Sequence, residues 1–180
     1  MAAMAELQLA HTADLDERTL TAVREMLEGV FVDDFTDHDW EHSLGGIHAI
    51  VSEDGEPIAH ASVVQRRLLH AGRALRTGYV EGVGVRADRR RRGHAGAMME
   101  ALERVIRGGY ELGALGASED AVALYTGRGW ERWRGPTSAL TPDGTVRTAE
   151  EDGWIFVLPV VVPLDLSGEL TCDWRDGDVW

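Results

Sequence analysis

The chain contains no lysine: all 18 of its basic residues are arginine, set against 31 acidic residues, for a formal net charge of −13. A chain this acidic repels phosphate backbones, which excludes general nucleic-acid binding, and it attracts polycations. Cys172 is the only cysteine, so no intrachain disulfide can form, and a reducing compartment, the cytoplasm, is expected. No apolar run approaches the length needed to span a bilayer, so no membrane association is expected. The N-terminal MAAMAELQLAHTADL lacks the basic start and apolar core of a secretory signal. His11, His38, His42, His48, His60, His70 and His94 show no His-Glu-x-x-His spacing; they read as surface or hydrogen-bonded core histidines, with no metal. Repeats and low-complexity tracts are absent, and 180 residues at 44% apolar content fit one domain, 1–180.

What is present is organised around Tyr79 to Arg107, YVEGVGVRADRRRRGHAGAMMEALERVIR. Tyr79, Glu81, Val83 and Val85 alternate as a strand, and Gly82 and Gly84 mark a bulge or close backbone approach. Met98, Met99, Leu102, Val105 and Ile106 share one face of the helix that follows. Between them lies Arg90-x-x-Gly93-x-Ala95. Unpartnered N–H groups at the positive end of a helix, next to small residues, suit a phosphate or pyrophosphate. The bland alternative is an exposed basic loop.

In chain order, a strand is expected at Glu6 to Ala10 and a helix at Asp14 to Val30, with Asp14 and Glu17 as a capping box. A loop with a short helix near Asp37 to Leu44 carries Asp34 and Asp39 among aromatics. Ile47 to Ser52 and Pro57 to Arg67 form a hairpin about Asp54-Gly55, and Leu75 to Val85 follows as the central strand. Leu112 to Ala117 would run parallel beside it. If the bulge splays these two strands, an extended ligand can bond the backbone of Val83 and Val85 as a false strand. Ser118 is expected to cap a helix from Glu119 to Arg128, and the last strands are expected at Glu131 to Arg134 and Trp154 to Val162. From Thr141 to Trp180 nine acids face two arginines, a local net of −7. CDWRDGDVW, Cys172 to Trp180, holds two tryptophans and a valine, which argues that the tail, 165–180, docks.

The bulged strand, the Arg90 turn and the amphipathic helix resemble the acyl-CoA-binding core of the Gcn5-related N-acetyltransferases. AVALYTGRGW, Ala121 to Trp130, is similar to that family's second motif. DFTDHDWEHSLGGIHA, IAHASVVQRRL, GYVEGVGVRAD, GYELGAL, YTGRGW, GPTSAL and CDWRDGDVW resemble the aminoglycoside 2′-N-acetyltransferases within it, over nearly the whole chain. The resemblance implies an α/β (α+β) fold with a mixed, mostly antiparallel central sheet, splayed middle strands and flanking helices. It implies acetyl-CoA as co-substrate, held by Val83, Gly84, Val85 and Arg90, Arg91, Arg92, Gly93, His94 and Ala95. It places a cationic aminoglycoside or amino sugar at Asp34, Asp39, Glu81, Gly82, Gly116, Glu150, Glu151, Asp178 and Trp180. Gly116 stands where the family has a serine, and Glu150-Glu151 where relatives carry aspartates. A homodimer is usual for the fold.

The expected chemistry is direct attack of a 2′-amine on acetyl-CoA. Glu81, or the Trp180 carboxylate, takes the amine proton, the Val83 N–H holds the oxyanion, and Tyr125 protonates the thiolate. Asp152 joins the other acids in pairing ammonium groups. Alternatives are an acetyltransferase for another polyamine-like or amino-sugar metabolite, or for protein N-termini, and a non-catalytic acyl-CoA-binding module.

Overall fold

The computed structural model describes residues 4–180. Contacts divide the chain into two compact units: one takes in the chain up to Val64 and then Val80–Arg104, the other Gln65–Tyr79 and Val105–Trp180. The chain passes between them inside β3 (Glu56–His70), β4 (Arg73–Val85) and α3 (His94–Gly109).

In the first unit, β1 (Glu6–His11) pairs antiparallel with β2 (Ile47–Glu53), and β2 with β3. The β2–β3 turn has both central residues at positive φ, Asp54 at 52° and Gly55 at 81°, the hairpin geometry that Asp-Gly favours. The helix α1 (Glu17–Val30) buries Val23, Met26 and Leu27 against Ile50 of β2. Each such aliphatic side chain contributes about 1.5–3 kcal/mol. Its cap is Asp16, whose side chain accepts from the Thr19 N–H at 2.8 Å. The expected Asp14–Glu17 box is not formed, because Thr12–Asp14 closes a separate 3₁₀ turn first. The short α2 (Asp37–His42) starts with a full capping box between Thr36 and Asp39.

In the second unit the strand order is β6-β9-β5-β4-β3-β10-β7-β8, with β5 at Leu112–Gly116, β6 at Glu131–Arg132, β7 at Thr137–Thr141, β8 at Gly144–Arg147, β9 at Ile155–Pro159 and β10 at Leu170–Cys172. The β4–β5 and β7–β10 pairs are parallel, and β5–β9, β6–β9, β7–β8 and β3–β10 are antiparallel. This is the mixed, mostly antiparallel sheet expected of the α/β class. Ile106, Leu112, Trp133 and Phe156 are fully buried in its core. The helix α4 (Val122–Gly127) is preceded by a 3₁₀ turn at Glu119–Ala121, and Ser118 makes no side-chain cap. The hairpin β7–β8 and the strand β10 were not expected. The expected strand Glu131 to Arg134 shrinks to two residues, because Arg134 and Gly135 turn to donate to Leu166 O.

The β4–β5 ladder holds three pairs and ends at Tyr79–Ala114. On its other edge β5 stays paired with β9 through Gly116–Ile155. No helix among the described residues is long and apolar enough to cross a membrane.

Candidate active site

Glu81, Gly82, Val83 and Val85 are half-buried and Gly84 is buried. A Cβ on Gly84 would lie 2.8 Å from Leu27 Cδ2, so the glycine is what lets β4 pack directly against α1. After a 3₁₀ turn at Ala87–Arg89 the chain reaches α3 through Arg91 and Gly93, at φ 60° and 84°. Ala97 N–H donates to Gly93 O at 3.0 Å, so the N–H groups of His94, Ala95 and Gly96 precede the first intrahelical bond. These donors sit at the positive end of a helix of 16 residues and fit a pyrophosphate. The arginines serve mainly to stiffen the turn. Arg86 pairs with Asp88, and Arg89 with Asp88 and Glu53. Arg90 Nε donates to Val85 O and Arg92 to Asp88 O, both at 3.2 Å. Arg91 is exposed.

Behind Gly82 runs a buried hydrogen-bonded chain. His60 Nδ1 bonds the Gly82 carbonyl at 2.8 Å, His60 Nε2 meets His48 Nδ1 at 2.9 Å, and His48 Nε2 meets Thr12 Oγ1 at 2.7 Å. Burial pulls His48 down to about 4, with a smaller push from His11. Burial pulls His60 to about 3, against the raising effect of the Gly82 carbonyl. An unfolded imidazole titrates near 6.5, so between pH 6.5 and 3 the unfolded chain binds the extra protons. These shifts therefore leave stability intact above pH 6.5 and remove it progressively as pH falls toward 4 and then 3. The expected melting temperature drops by about 5 °C between pH 7 and pH 5, and the drop shrinks in His48→Gln. An equal drop in that variant would assign the acid sensitivity elsewhere.

The expected acids differ in how free they are. In the first unit Asp34 is exposed on the loop after α1, its own N–H donating to Phe31 O at 2.7 Å. Asp39 spends Oδ2 on the Thr36 N–H and hydroxyl, both at 2.7 Å. In the second unit Glu150 and Asp178 are exposed and Glu151 is half-buried. Burial first, then the charges of Asp178 and Glu150, raises the Glu151 carboxyl above its usual range, so these three acids form one anionic group. Asp152 is a correction. It accepts from Thr137 N–H and Oγ1 at 3.0 and 2.9 Å and pairs with Arg147, which together hold it well below the usual carboxylate range. It braces the β7–β8 hairpin and is not available to an ammonium group.

The tail docks within this unit. Trp180 is 5% exposed, and its indole N–H donates to Thr148 Oγ1 at 2.8 Å. Asp178 Oδ1 accepts from the Trp180 N–H at 3.0 Å, and Arg175 donates to the main-chain oxygens of Asp178 and Trp180. Buried Arg66 donates to Asp173 Oδ1 at 2.7 Å and to the Asp173 and Val179 carbonyls at 3.0 and 2.7 Å. Arg66 and Arg175 both stack on the Tyr79 ring, at 4.6 and 5.6 Å from its centroid. Tyr125, on α4, is 3% exposed between Trp130 and Phe156, and burial pushes its phenol up to about 12. Exposed Gly116 ends β5, and a Cβ there would lie 3.8 Å from Tyr79 Oη.

Thr148, Arg66 and Arg175, which seat the tail, and Thr12, His48 and His60, which lead to the Gly82 carbonyl, escaped the sequence reading. Arg175 has partners three and five residues away, at Asp178 and Trp180, whereas Arg66 reaches Val179 across 113 residues and His60 reaches Gly82 across 22.

Residues 12–133 match the model of the acetyltransferase (GNAT) domain family. The chain is 55% identical over 177 residues to an aminoglycoside 2′-N-acetyltransferase of Mycolicibacterium fortuitum, covering 96% of this chain and 91% of that protein. Among solved structures, Eis1 from Mycobacterium abscessus superposes with a TM-score of 0.61 at 19% identity, over 75% of this chain. The chain spans about a third of that longer protein, 33% of its length. A GNAT family acetyltransferase from Brucella melitensis, solved in complex with acetyl-CoA, superposes with a TM-score of 0.60 at 15% identity, over 92% of this chain and 94% of that one.

Proposed function

From the premise that this chain belongs to the acetyltransferase (GNAT) family, we propose that it moves the acetyl group of acetyl-CoA directly to the 2′-amine of an aminoglycoside, inactivating the antibiotic. The observation that carries the acceptor is the relative of that activity, 55% identical over nearly the whole chain. The acidic composition supports it, since the substrate is a polycation. Acetyl-CoA is read onto the α3 N-terminus through the N–H groups of His94 and Ala95, the Arg90–Gly93 turn, and the backbone of Val83, Gly84 and Val85. Asp34, Asp39, Gly82, Gly116, Glu150, Glu151, Asp178 and Trp180 are read as aminoglycoside contacts.

In this reading the substrate ammonium gives a proton to Glu81 through water, and the free amine attacks the thioester carbonyl. The Val83 N–H donates to the developing oxyanion. The C–S bond then breaks, Tyr125 donates its proton to the departing thiolate, and the extra proton on the new amide nitrogen passes to solvent, from which Tyr125 is reprotonated. The Trp180 carboxylate is the second candidate for the base; one of its oxygens accepts from the Arg175 guanidinium. Cys172 is buried and burial pushes its thiol up to about 11, so an acetyl-cysteine intermediate has no support. The reaction is placed in the cytoplasm, by a homodimer.

Thiol release is the direct test. Tobramycin and gentamicin, which carry a 2′-amine, are expected to consume acetyl-CoA at equal stoichiometry. Kanamycin A and amikacin, which lack it, are expected to react at least about 100-fold more slowly. Comparable turnover of kanamycin A would overturn the regiochemistry. Turnover only with simpler amino sugars would move the acceptor to a metabolite.

A further inference from the structure

We propose that the buried chain Thr12–His48–His60–Gly82 aims the Val83 N–H, with His60 as a positioning residue for the oxyanion donor. The proposal rests on the acetyl-transfer reading above.

The carbonyl of Gly82 has no proton, so at 2.8 Å His60 Nδ1 must be the donor. His60 Nε2 is then the acceptor, and the 2.9 Å contact makes His48 Nδ1 a donor. His48 Nε2 in turn accepts from the Thr12 hydroxyl at 2.7 Å. That hydroxyl is held in place by the Gly45 N–H at 2.8 Å. One carbonyl thus fixes both tautomers, and every ring nitrogen in the chain has a single role.

The peptide joining Gly82 to Val83 is trans, as are all those described. In a planar trans peptide the C=O and the next N–H point in opposite directions. Holding the Gly82 oxygen toward His60 therefore turns the Val83 N–H away from the histidines. The glycine makes this orientation possible: its φ is +57°, and a Cβ there would lie 2.8 Å from Ser43 Oγ and 3.2 Å from His60 Nδ1. His48, His60 and Ser43 are all fully buried, so the wall behind this peptide is rigid.

The chain is not a proton wire. Its inner end is a carbonyl, which cannot take up a proton for delivery. Passing one along would also require an imidazolium at a buried site, which burial opposes at both rings. An orienting device needs only fixed neutral tautomers, and those are what the geometry gives.

Two measurements test it. The first needs no substrate: long-range ¹H–¹⁵N spectra of the whole protein report histidine tautomers. His48 and His60 are both expected as neutral Nδ1–H from pH 6 to 8. An Nε2–H tautomer or an imidazolium at His60 would overturn the proposal. The second is kinetic, with acetyl-CoA and tobramycin. His60→Asn keeps an N–H donor bonded to Cγ, as Nδ1 is, whereas His60→Leu keeps none. His60→Leu is expected to lose about 10- to 100-fold in kcat with unchanged acetyl-CoA affinity, and His60→Asn to recover most of it. A folded His60→Leu with full kcat, or a His60→Asn as slow as His60→Leu, would overturn the proposal. Should His60→Leu fail to fold, Thr12→Val serves instead: the Gly82 carbonyl still dictates Nδ1–H at both rings, and a few-fold loss of kcat is expected from the loosened outer end; an Nε2–H tautomer at either ring, or a wild-type rate, would count against the device. If the wild-type protein turns over no aminoglycoside, the functional reading fails, while the tautomers still decide whether the peptide is held as described.

Discussion

Tyr125→Phe is expected to lower kcat by about 10²- to 10³-fold while leaving the fold and acetyl-CoA affinity intact. The ring is the structural part of this residue: it packs at 6.1 Å from the Trp130 ring and 6.5 Å from Phe156, and phenylalanine keeps both contacts. Only the hydroxyl is removed, so the loss of stability should stay near about 1 kcal/mol or below. What disappears is the proposed proton donor. Burial pushes the Tyr125 phenol up to about 12, against an ordinary value of 10.0, so the acid form persists throughout the working range. The sign is that of a raised pKa: the group is protonated below it and lost as an acid only above it. The wild-type kcat should accordingly show no alkaline fall near pH 10 from this group. A fall centred there, or a Phe variant with wild-type kcat, would remove Tyr125 from the role of acid.

Much of the donor side was legible because its signals are local. Alternation along β4, small residues at the turn and the one-sided apolar positions of α3 all lie within 30 residues of sequence, and Met98, Met99, Leu102 and Ile106 are fully buried as that spacing demands. The need for glycine was legible at both positions, since Gly82 has a positive φ and Gly84 packs too closely on Leu27 for a Cβ. The acceptor side was less so. Acidic residues announce themselves by type, but their availability depends on distant partners. Asp152 and Asp39 look alike in sequence. One is consumed by Arg147 and Thr137, and the other closes a capping box with Thr36.

The strands that escaped are the short ones. Strand β10 has three residues, and its partners are Leu68 and Leu69 on one side and Thr137 to Ala139 on the other. Strand β8 is exposed at every position, so it carries no alternation to read. The turn between β7 and β8 was legible in TPDGT, but a turn does not say what it joins. The capping of α1 was misplaced by two residues because a 3₁₀ turn and a helix compete for the same acidic stretch, and only the tertiary anchoring of Thr12 to Gly46 decides where one ends.

Gly82→Ala is expected to be the most damaging small substitution in the first unit. Alanine at φ +57° costs about 1–2 kcal/mol from local sterics alone. Its Cβ would also lie 2.8 Å from Ser43 Oγ, a distance that real Cβ atoms do not tolerate. Ser43 cannot simply withdraw, because it is fully buried and its hydroxyl donates to Asp39 O at 3.0 Å. His60, the next neighbour at 3.2 Å, is held by His48. The remaining relief is rotation of the Gly82–Val83 peptide, and that swings the Val83 N–H out of line. A kcat loss of about 10²-fold or more should therefore accompany a stability loss of about 1–3 kcal/mol, read by steady-state kinetics and thermal melting on the same preparation. Gly116→Ser is the contrast. A Cβ there meets only Tyr79 Oη at 3.8 Å and Ile155 Cδ1 at 4.0 Å, ordinary contact distances, and the residue is exposed. That change should leave kcat and melting within about twofold and a degree, respectively, and act on the aminoglycoside KM alone. Equal damage from both substitutions would mean that crowding near the strand, rather than the direction of one peptide, sets the rate.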